Sequence, residues 1–500
     1  IEYKIKNTKF LDAYTTSFGK YNYLMILLST SILVAMAFEI FSVSYLVPAS
    51  ACELATTNSQ QGFMAGIPMI GIITTSHLWG YVADTRGRRL ALMWSLILGF
   101  IAAVSSALSP NWIVFSFLKF VSSCGVGSTF ALAVTLLSEC TPENRRSPLI
   151  VLTASIILLS SGVMAILTIP ILPLSFSYFV PYLNIHFNSW RLLSIIFGMP
   201  SAVAAVGVYF TYESPKYLLS SGQDAKALET LRRIYAINTG KPEEDYQVMV
   251  VTLEEVGPVH VKGLWASMVS QTIPLLKPPL LKNTLLMSTL FIIIYLCLNP
   301  YVVWLPYVID GVMRSLEKED HDLTFCQMIQ SSQNVTMSKT SDCSLNQFAM
   351  VLVFGVGLAL ATVNTILSTF INVFGKKRML ISIQFISGIA GLLVNFSTDW
   401  RVSGSLYVAF VFGALNFGYL NIFSVELFPT YVKAMAVCLT LMVGRGISVV
   451  GVNLLKSMLV DNCEASFYWF GGLTVVGGLI AFLLPRDVKL CQDQLQSIEK

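Results

Sequence analysis

Gly80-Tyr81-Val82-Ala83-Asp84-Thr85-Arg86-Gly87-Arg88-Arg89 ties a dense knot of charge between two long apolar runs. A knot this short and this charged does not enter lipid, so the runs on either side must turn back at it. Short loops rich in Lys and Arg stay cytoplasmic, so its three arginines also set the side on which the turn is made. Taken alone, a basic turn that only fixes topology has the same composition. The rest of the chain decides what more the knot does.

Of the 500 residues 55% are hydrophobic and 12% charged, against about 25% charged in soluble domains. The net charge of +4 is small and sits in loops, with no basic stripe for nucleic acid and no zinc-type Cys/His spacing. No nucleophile–base pair, nucleotide loop or metal box appears, so neither an enzyme, a cofactor nor a metal is expected. Cys124, Cys297 and Cys438 fall inside apolar runs, where a packed, unreactive thiol is the default.

Working outward from the knot, residues 1–21 are polar and read as a cytoplasmic lead-in, with no cleavable leader expected within them. Apolar stretches of spanning length follow at 22–48, 61–82, 90–109, 112–137, 148–173 and 191–211. After a polar segment, 212–283, six more lie at 284–308, 347–371, 379–396, 402–424, 432–458 and 465–485. The short loops this count places inside carry Arg86, Arg88, Arg89, Arg145, Arg146, Lys376, Lys377, Arg378 and Lys433, whereas those placed outside carry only Arg401. That bias puts both termini in the cytoplasm.

Gly87-Arg88-Arg89 recurs as Gly375-Lys376-Lys377, and Ser138-Glu139-Cys140-Thr141-Pro142 as Val425-Glu426-Leu427-Phe428-Pro429, at offsets of 288 and 287. The expected fold is therefore an all-α membrane protein, twelve transmembrane helices in two six-helix pseudo-repeats. The bundles would be 22–211 and 284–485, joined by the linker 212–283 and followed by a cytoplasmic tail, 486–500. The second knot has Asn372 where the first has Asp84, so a locking role there is in doubt.

In the linker, Ala225, Leu228, Leu231 and Tyr235 recur at helical spacing, predicting an amphipathic helix on the cytoplasmic face that bridges the halves. Pro274, Pro278 and Pro279 break the chain before span 7, and Asn299-Pro300 and Pro306 loosen that span itself. The outside loop 309–346 holds Cys326, Cys343 and a glycan acceptor, Asn334-Val335-Thr336. A Cys326–Cys343 bridge is expected, although Cys52 and Cys463 also lie outside and three connectivities are open.

The pattern Gly-x-x-x-Asp-x-x-Gly-Arg-Arg of the knot resembles the loop between helices 2 and 3 of the major facilitator superfamily. The resemblance implies that Asp84 accepts from a neighbouring helix N-terminus while Arg88 and Arg89 pair across the halves and hold one access state shut. Glu139, Arg145 and Glu426, from the two matching loops, would join that gate. Glu213-Ser214-Pro215-Lys216 looks like the box after span 6 of sugar porters and organic ion transporters. Phe38-Glu39-Ile40-Phe41 with Leu46-Val47-Pro48, Ser189-Trp190-Arg191 and Val303-Trp304-Leu305-Pro306 resemble synaptic vesicle glycoprotein 2 and its relatives. The chain departs from that family at Met36, Phe417 and Asn421 and in its short outside loop, so the family's ligand and toxin contacts are not carried over.

Ionisable groups deep in spans are costly and usually face a cavity or a partner. Glu39, Lys119 and Arg445 are the candidates, and the resemblance implies a central cavity lined by spans 1, 4, 7 and 10, with 2, 5, 8 and 11 contributing, and with Tyr45, Trp304, Phe417 and Asn421 on its walls. Glu39 could couple a co-transported proton, because a carboxyl taken out of water holds its proton more readily, or could be permanently paired with Lys119 or Arg445. A guanidinium at 445 offers a planar, bidentate grip on a carboxylate. The expected function is alternating-access transport of a small organic solute, an organic anion before a sugar or organic cation, by a monomer in the plasma membrane or an intracellular vesicle. The rival reading is a regulator or receptor on the same scaffold that moves nothing.

Overall fold

Apolar runs of twenty residues satisfy their peptide groups in lipid only by coiling on themselves. A computed structural model describes residues 7–9, 19–127, 129–139, 143–246, 248, 250–252, 269, 272–317, 323–336, 345–428 and 433–485. The N-terminal half contains α1 (Lys20–Ser50), α2 (Asn58–Arg86), α3 (Arg88–Ser106), α4 (Trp112–Val126), α5 (Thr129–Glu139), α6 (Glu143–Ile171) and α7 (Ser189–Tyr209). The linker forms α8 (Pro215–Ser220) and α9 (Asp224–Thr239). The C-terminal half contains α10 (Leu281–Cys297), α11 (Asn299–Val303), α12 (Leu305–Leu316), α13 (Phe325–Thr336), α14 (Gln347–Phe374), α15 (Lys376–Leu393), α16 (Trp400–Val411), α17 (Asn416–Glu426), α18 (Lys433–Asp461) and α19 (Cys463–Ala481). Among the described residues nine helices are long and apolar enough to cross a membrane. Two short two-stranded pairs, Asn7–Lys9 with Val250–Thr252 and Tyr178–Val180 with Ile185–Phe187, are the described β-structure.

The ends of the helices differ by side. Where the chain enters α2, α4, α14 and α16, the side chains of Thr57, Asn111, Asn346 and Asp399 accept from first-turn amides. At the other end, α3 and α15 start from Gly87 and Gly375, whose φ of +105° and +83° favours glycine. We call these the capped face and the basic face.

Span 7 is broken into α10, α11 and α12, as its Asn299-Pro300 and Pro306 predict. Within each half the neighbours follow one scheme: α3 lies on α7 and α4, and α15 on α19 and α16; α1 lies on α6 and α7, and α10 on α18 and α19. Two further pairings, α2 with α18 and α6 with α14, join the halves. Glycines allow the close approach. A Cβ on Gly62 would stand 2.7 Å from Asn453 Oδ1, one on Gly66 3.2 Å from Val449, and one on Gly162 3.1 Å from the Phe354 backbone. All three crossings lie in the half of the bundle next to the capped face.

Burial repeats that asymmetry. One hydrophobic core runs through both halves, from Tyr45, Met64 and Phe197 to Trp304, Val353 and Leu459. The second, from Tyr21, Leu92 and Leu136 to Ile234 and Tyr246, draws only on the N-terminal half and the linker. The halves are thus sealed together at the capped face and keep separate cores at the basic face.

Two expectations are corrected. The linker helix α9 does not bridge the halves. It buries Ala227, Leu231 and Ile234 in the N-terminal core, while Ala225 is exposed. Asn238 clamps it to the start of α1, accepting from Tyr21 N at 2.8 Å and donating to Asn22 Oδ1 at 2.8 Å. Cys326 pairs not with Cys343 but with Cys463, at a Cα–Cα distance of 5.5 Å. The reason is tertiary: Phe325 packs its ring on Tyr407 and Phe467 at 5.1 and 5.8 Å, which seats the first turn of α13 beside the start of α19. Cys52 is also disulfide-bonded, and Cys343 lies outside the described residues.

Candidate functional site

Glu39 and Lys119 face each other between α1 and α4. Lys119 Nζ stands 3.3 and 3.4 Å from the two Glu39 carboxylate oxygens and donates to Ser42 Oγ at 3.0 Å. The two residues are 3% and 1% exposed. Of the two partners open to Glu39, the structure selects Lys119. The small residues after it seat α4: a Cβ on Gly125 would meet Gly99 of α3 at 2.5 Å, and one on Gly127 would meet Thr75 of α2 at 2.7 Å. The only acid among the candidate charges is therefore cancelled within its own half.

Arg445 is not. It is half-buried on α18 and makes no hydrogen bond or ion pair with any described residue. Its neighbour Gly444 admits the Tyr295 ring, within 2.5 Å of where a Cβ would stand. Tyr295 in turn meets Phe417 edge-on at 4.6 Å. One turn further along α18, Ser448 Oγ accepts from Asn299 Nδ2 at 2.6 Å. The aromatic pair thus meets α18 at Gly444 and the polar break meets it at Ser448. A guanidinium on the same stretch with no carboxylate partner among the described residues can take a planar anion in bidentate fashion. Phe417 and Asn421 are half-buried on α17.

Tyr45 and Trp304, expected on the cavity wall, are enclosed. Tyr45 donates its hydroxyl to Ser161 O at 2.6 Å and packs on Phe197. Trp304 donates Nε1 to Val452 O at 3.1 Å and is fully buried. A cavity of about 450 Å³ lies between α12, α14 and α16, walled by groups such as Val312, Leu352 and Val356. It is apart from all three candidate charges.

Sequence reading passed over Lys456. It is 1% exposed, and its Nζ stands 3.4 Å from the Tyr307 ring centroid and 4.9 Å from that of Trp304. No described carboxylate reaches it. A desolvated cation–π contact contributes about 2 kcal/mol, whereas burying an ion costs several. The signal was present: a charge eleven residues after Arg445 in one apolar run, three helical turns on and so on the same face.

At the knot, the carboxylate that caps α3 is Glu213. It accepts from Arg88 N at 2.9 Å, Arg89 N at 3.1 Å and Ser214 N at 3.0 Å, as a carboxylate at a helix N-terminus does. Arg89 turns to its own half, donating to Val208 O and Tyr209 O at the end of α7. It does not pair across the halves in this state. Asp84, Glu139, Arg145 and Glu426 sit on α2, α5, α6 and α17, and Asn334 on α13; their side chains lie outside the described residues.

A second unforeseen network ties together the capped ends of the N-terminal half. Glu53 accepts from Arg191 NH2 and Trp190 Nε1 at 2.6 Å each and from Asn188 Nδ2 at 2.6 Å. Arg191 also donates to Ala107 O and Ser109 O at 2.7 and 2.9 Å. Partial burial raises the Glu53 pKa, but the hydrogen bonds from Arg191, Trp190 and Asn188 outweigh it and hold the carboxyl below its ordinary value.

Known proteins share this fold. The chain is 23% identical to svop-1 of Caenorhabditis elegans over 478 residues, 94% of this chain and 84% of that protein. It is 26% identical to synaptic vesicle glycoprotein 2B of Rattus norvegicus over 234 residues, 46% of this chain and 34% of that protein. In fold it is similar to the xylose transporter XylE of E. coli in a partially occluded inward open conformation, with a TM-score of 0.68 at 17% identity, covering 93% of this chain and 98% of that one. The likeness to the major facilitator superfamily and to synaptic vesicle glycoprotein 2 drawn from the motifs is thereby borne out, and svop-1 and XylE are named as transporters rather than enzymes. Residues 15–297 match the family of sugar and other transporters, and the chain, a multi-pass membrane protein, belongs to it.

Proposed function

We propose that this chain is a secondary transporter of a small organic anion, working by alternating access and caught closed at the capped face and open at the basic face. One observation carries the sign of the substrate: the acid of the candidate cluster, Glu39, is neutralised by Lys119, whereas the base, Arg445, has no partner among the described residues. The three candidate charges then sum to one positive charge, which favours an anion.

On this reading twelve spans form two six-helix bundles, 22–211 and 284–485, with the lead-in 1–21, the linker 212–283 and the tail 486–500 in the cytoplasm. The mirrored neighbour scheme within the halves and the basic loops at Gly87 and Gly375 support it. The capped face is then extracellular or lumenal, with Asn334 open to glycosylation. Closing the basic face brings Asp84, Arg88, Arg89, Glu139, Arg145 and Glu426 into cross-half pairs that hold it shut. The protein acts as a monomer in the plasma or a vesicle membrane, and a proton coupled through Glu39 requires the Lys119 pair to part.

A second reading, a scaffold that regulates without transporting, is favoured by Asn372, which removes the acid from the second knot. A thermal-stability screen of the purified chain with organic anions, organic cations and sugars separates these, since a ligand of the folded state shifts stability by mass action. Stabilisation by anions, lost in Arg445→Met, is expected. Stabilisation by sugars or cations alone contradicts the anion, and none by any class favours the scaffold.

A further inference from the structure

Lys456 is a cation buried where a transporter has most to gain from exposing one. It sits five residues from the capped end of α18, sealed between Tyr307 of α12 and Trp304 just before that helix. The chain breaks on both sides of α11, with Leu298 and Trp304 as the joints, so α12 is a separate short rod. It also packs on α1 of the other half. Opening the capped face must carry α12 off α1, and Tyr307 moves with it. The ammonium, which no described carboxylate satisfies, is then bared to the capped side.

We propose that Lys456 is the receiving site for the anion on the capped side, stored under Trp304 and Tyr307 while that face is shut. Resting on the anion reading above, the inference adds a second station. Lys456 and Arg445 lie on one face of α18, eleven residues and roughly 16 Å apart along the axis. A carboxylate taken up at Lys456 passes to Arg445 as the rings close behind it. The rings thus make the site available only in the state that faces the supply.

The test is initial-rate uptake of benzoate, with benzamide as its uncharged counterpart, into proteoliposomes carrying the full chain. Lys456→Met should raise the KM for benzoate about ten- to a hundredfold, the worth of one charge-assisted hydrogen bond. Lys456→Arg should stay near wild type, and benzamide competition should not move. Should Lys456→Met fail to fold, Trp304→Leu, which keeps the ammonium and removes one of the two rings over it, must lower the KM. Benzoate uptake slowed by Arg445→Met but indifferent to both Lys456→Met and Trp304→Leu overturns this inference and leaves the anion reading standing. Wild-type protein that neither moves benzoate nor is inhibited by any other carboxylate overturns both.

Discussion

Replacing Gly62 by Trp should lock the capped face open. Gly62 on α2 faces Asn453 on α18, and a Cβ there would already stand 2.7 Å from Asn453 Oδ1 and 3.2 Å from its Cα. An indole has no room unless the helices part, and overpacking of this kind costs about 1–3 kcal/mol. The cost falls only on the state in which α2 and α18 touch, so the equilibrium moves toward the capped-open state by about five- to 150-fold. Pulsed EPR reads this directly, with nitroxides at the exposed positions Ser59 and Asp461 for the capped face and Thr85 and Cys438 for the basic face. The Ser59–Asp461 distance should lengthen in Gly62→Trp while Thr85–Cys438 shortens. Unchanged distributions in a folded variant, or both distances lengthening together, would refute the reasoning.

Removing one partner of the buried Glu39–Lys119 pair should cost about 3–5 kcal/mol, while Glu39→Gln with Lys119→Met recovers most of it; a denaturation cycle in detergent in which the double variant loses the sum of the singles counts against the pair. Glu53 has a depressed folded-state pKa, so the stability it adds is present above the ordinary carboxylate value and lost as pH falls through the folded-state one. A thermal melt series should show an acid limb that Glu53→Gln flattens, and a limb identical in both proteins removes Glu53 from it. The Cys326–Cys463 bridge closes 137 residues, for which loop entropy allows at most about 5 kcal/mol. Cys463→Ser should therefore melt lower and lose the share of its reductant sensitivity that this bridge supplies, keeping only that of the Cys52 bridge, whereas a melt lowered by reductant as much as in wild type counts against the Cys326–Cys463 pair.

Much of this architecture was legible because the relevant signals are local. Apolar length marked the helices, the Gly87 and Gly375 turns announced themselves by glycine and charge, and the break in span 7 followed from Asn299-Pro300 and Pro306. What escaped was set by partners far along the chain. Glu213 caps α3 from 125 residues away. Cys326 found Cys463 because Phe325 packs on Tyr407 and Phe467. The buried stripe of α9 is Ala227, Leu231 and Ile234 because that face meets Tyr21 and Met25. Periodicity could find the helix but could not orient it. Lys456 was missed although it satisfies the rule that singled out Arg445; its place near the end of a span suggests a solvated lysine until the rings of Trp304 and Tyr307 are seen over it.

The charge balance around the pathway makes the account testable in one measurement: counterflow of radiolabelled benzoate in proteoliposomes, for wild type and Arg445→Met. Wild type should exchange internal for external benzoate with saturation, and Arg445→Met should lose it while keeping its thermal midpoint. Exchange of benzoate that Arg445→Met leaves intact, or exchange of a sugar or organic cation in its place, would contradict an anion pathway built on the unpaired guanidinium.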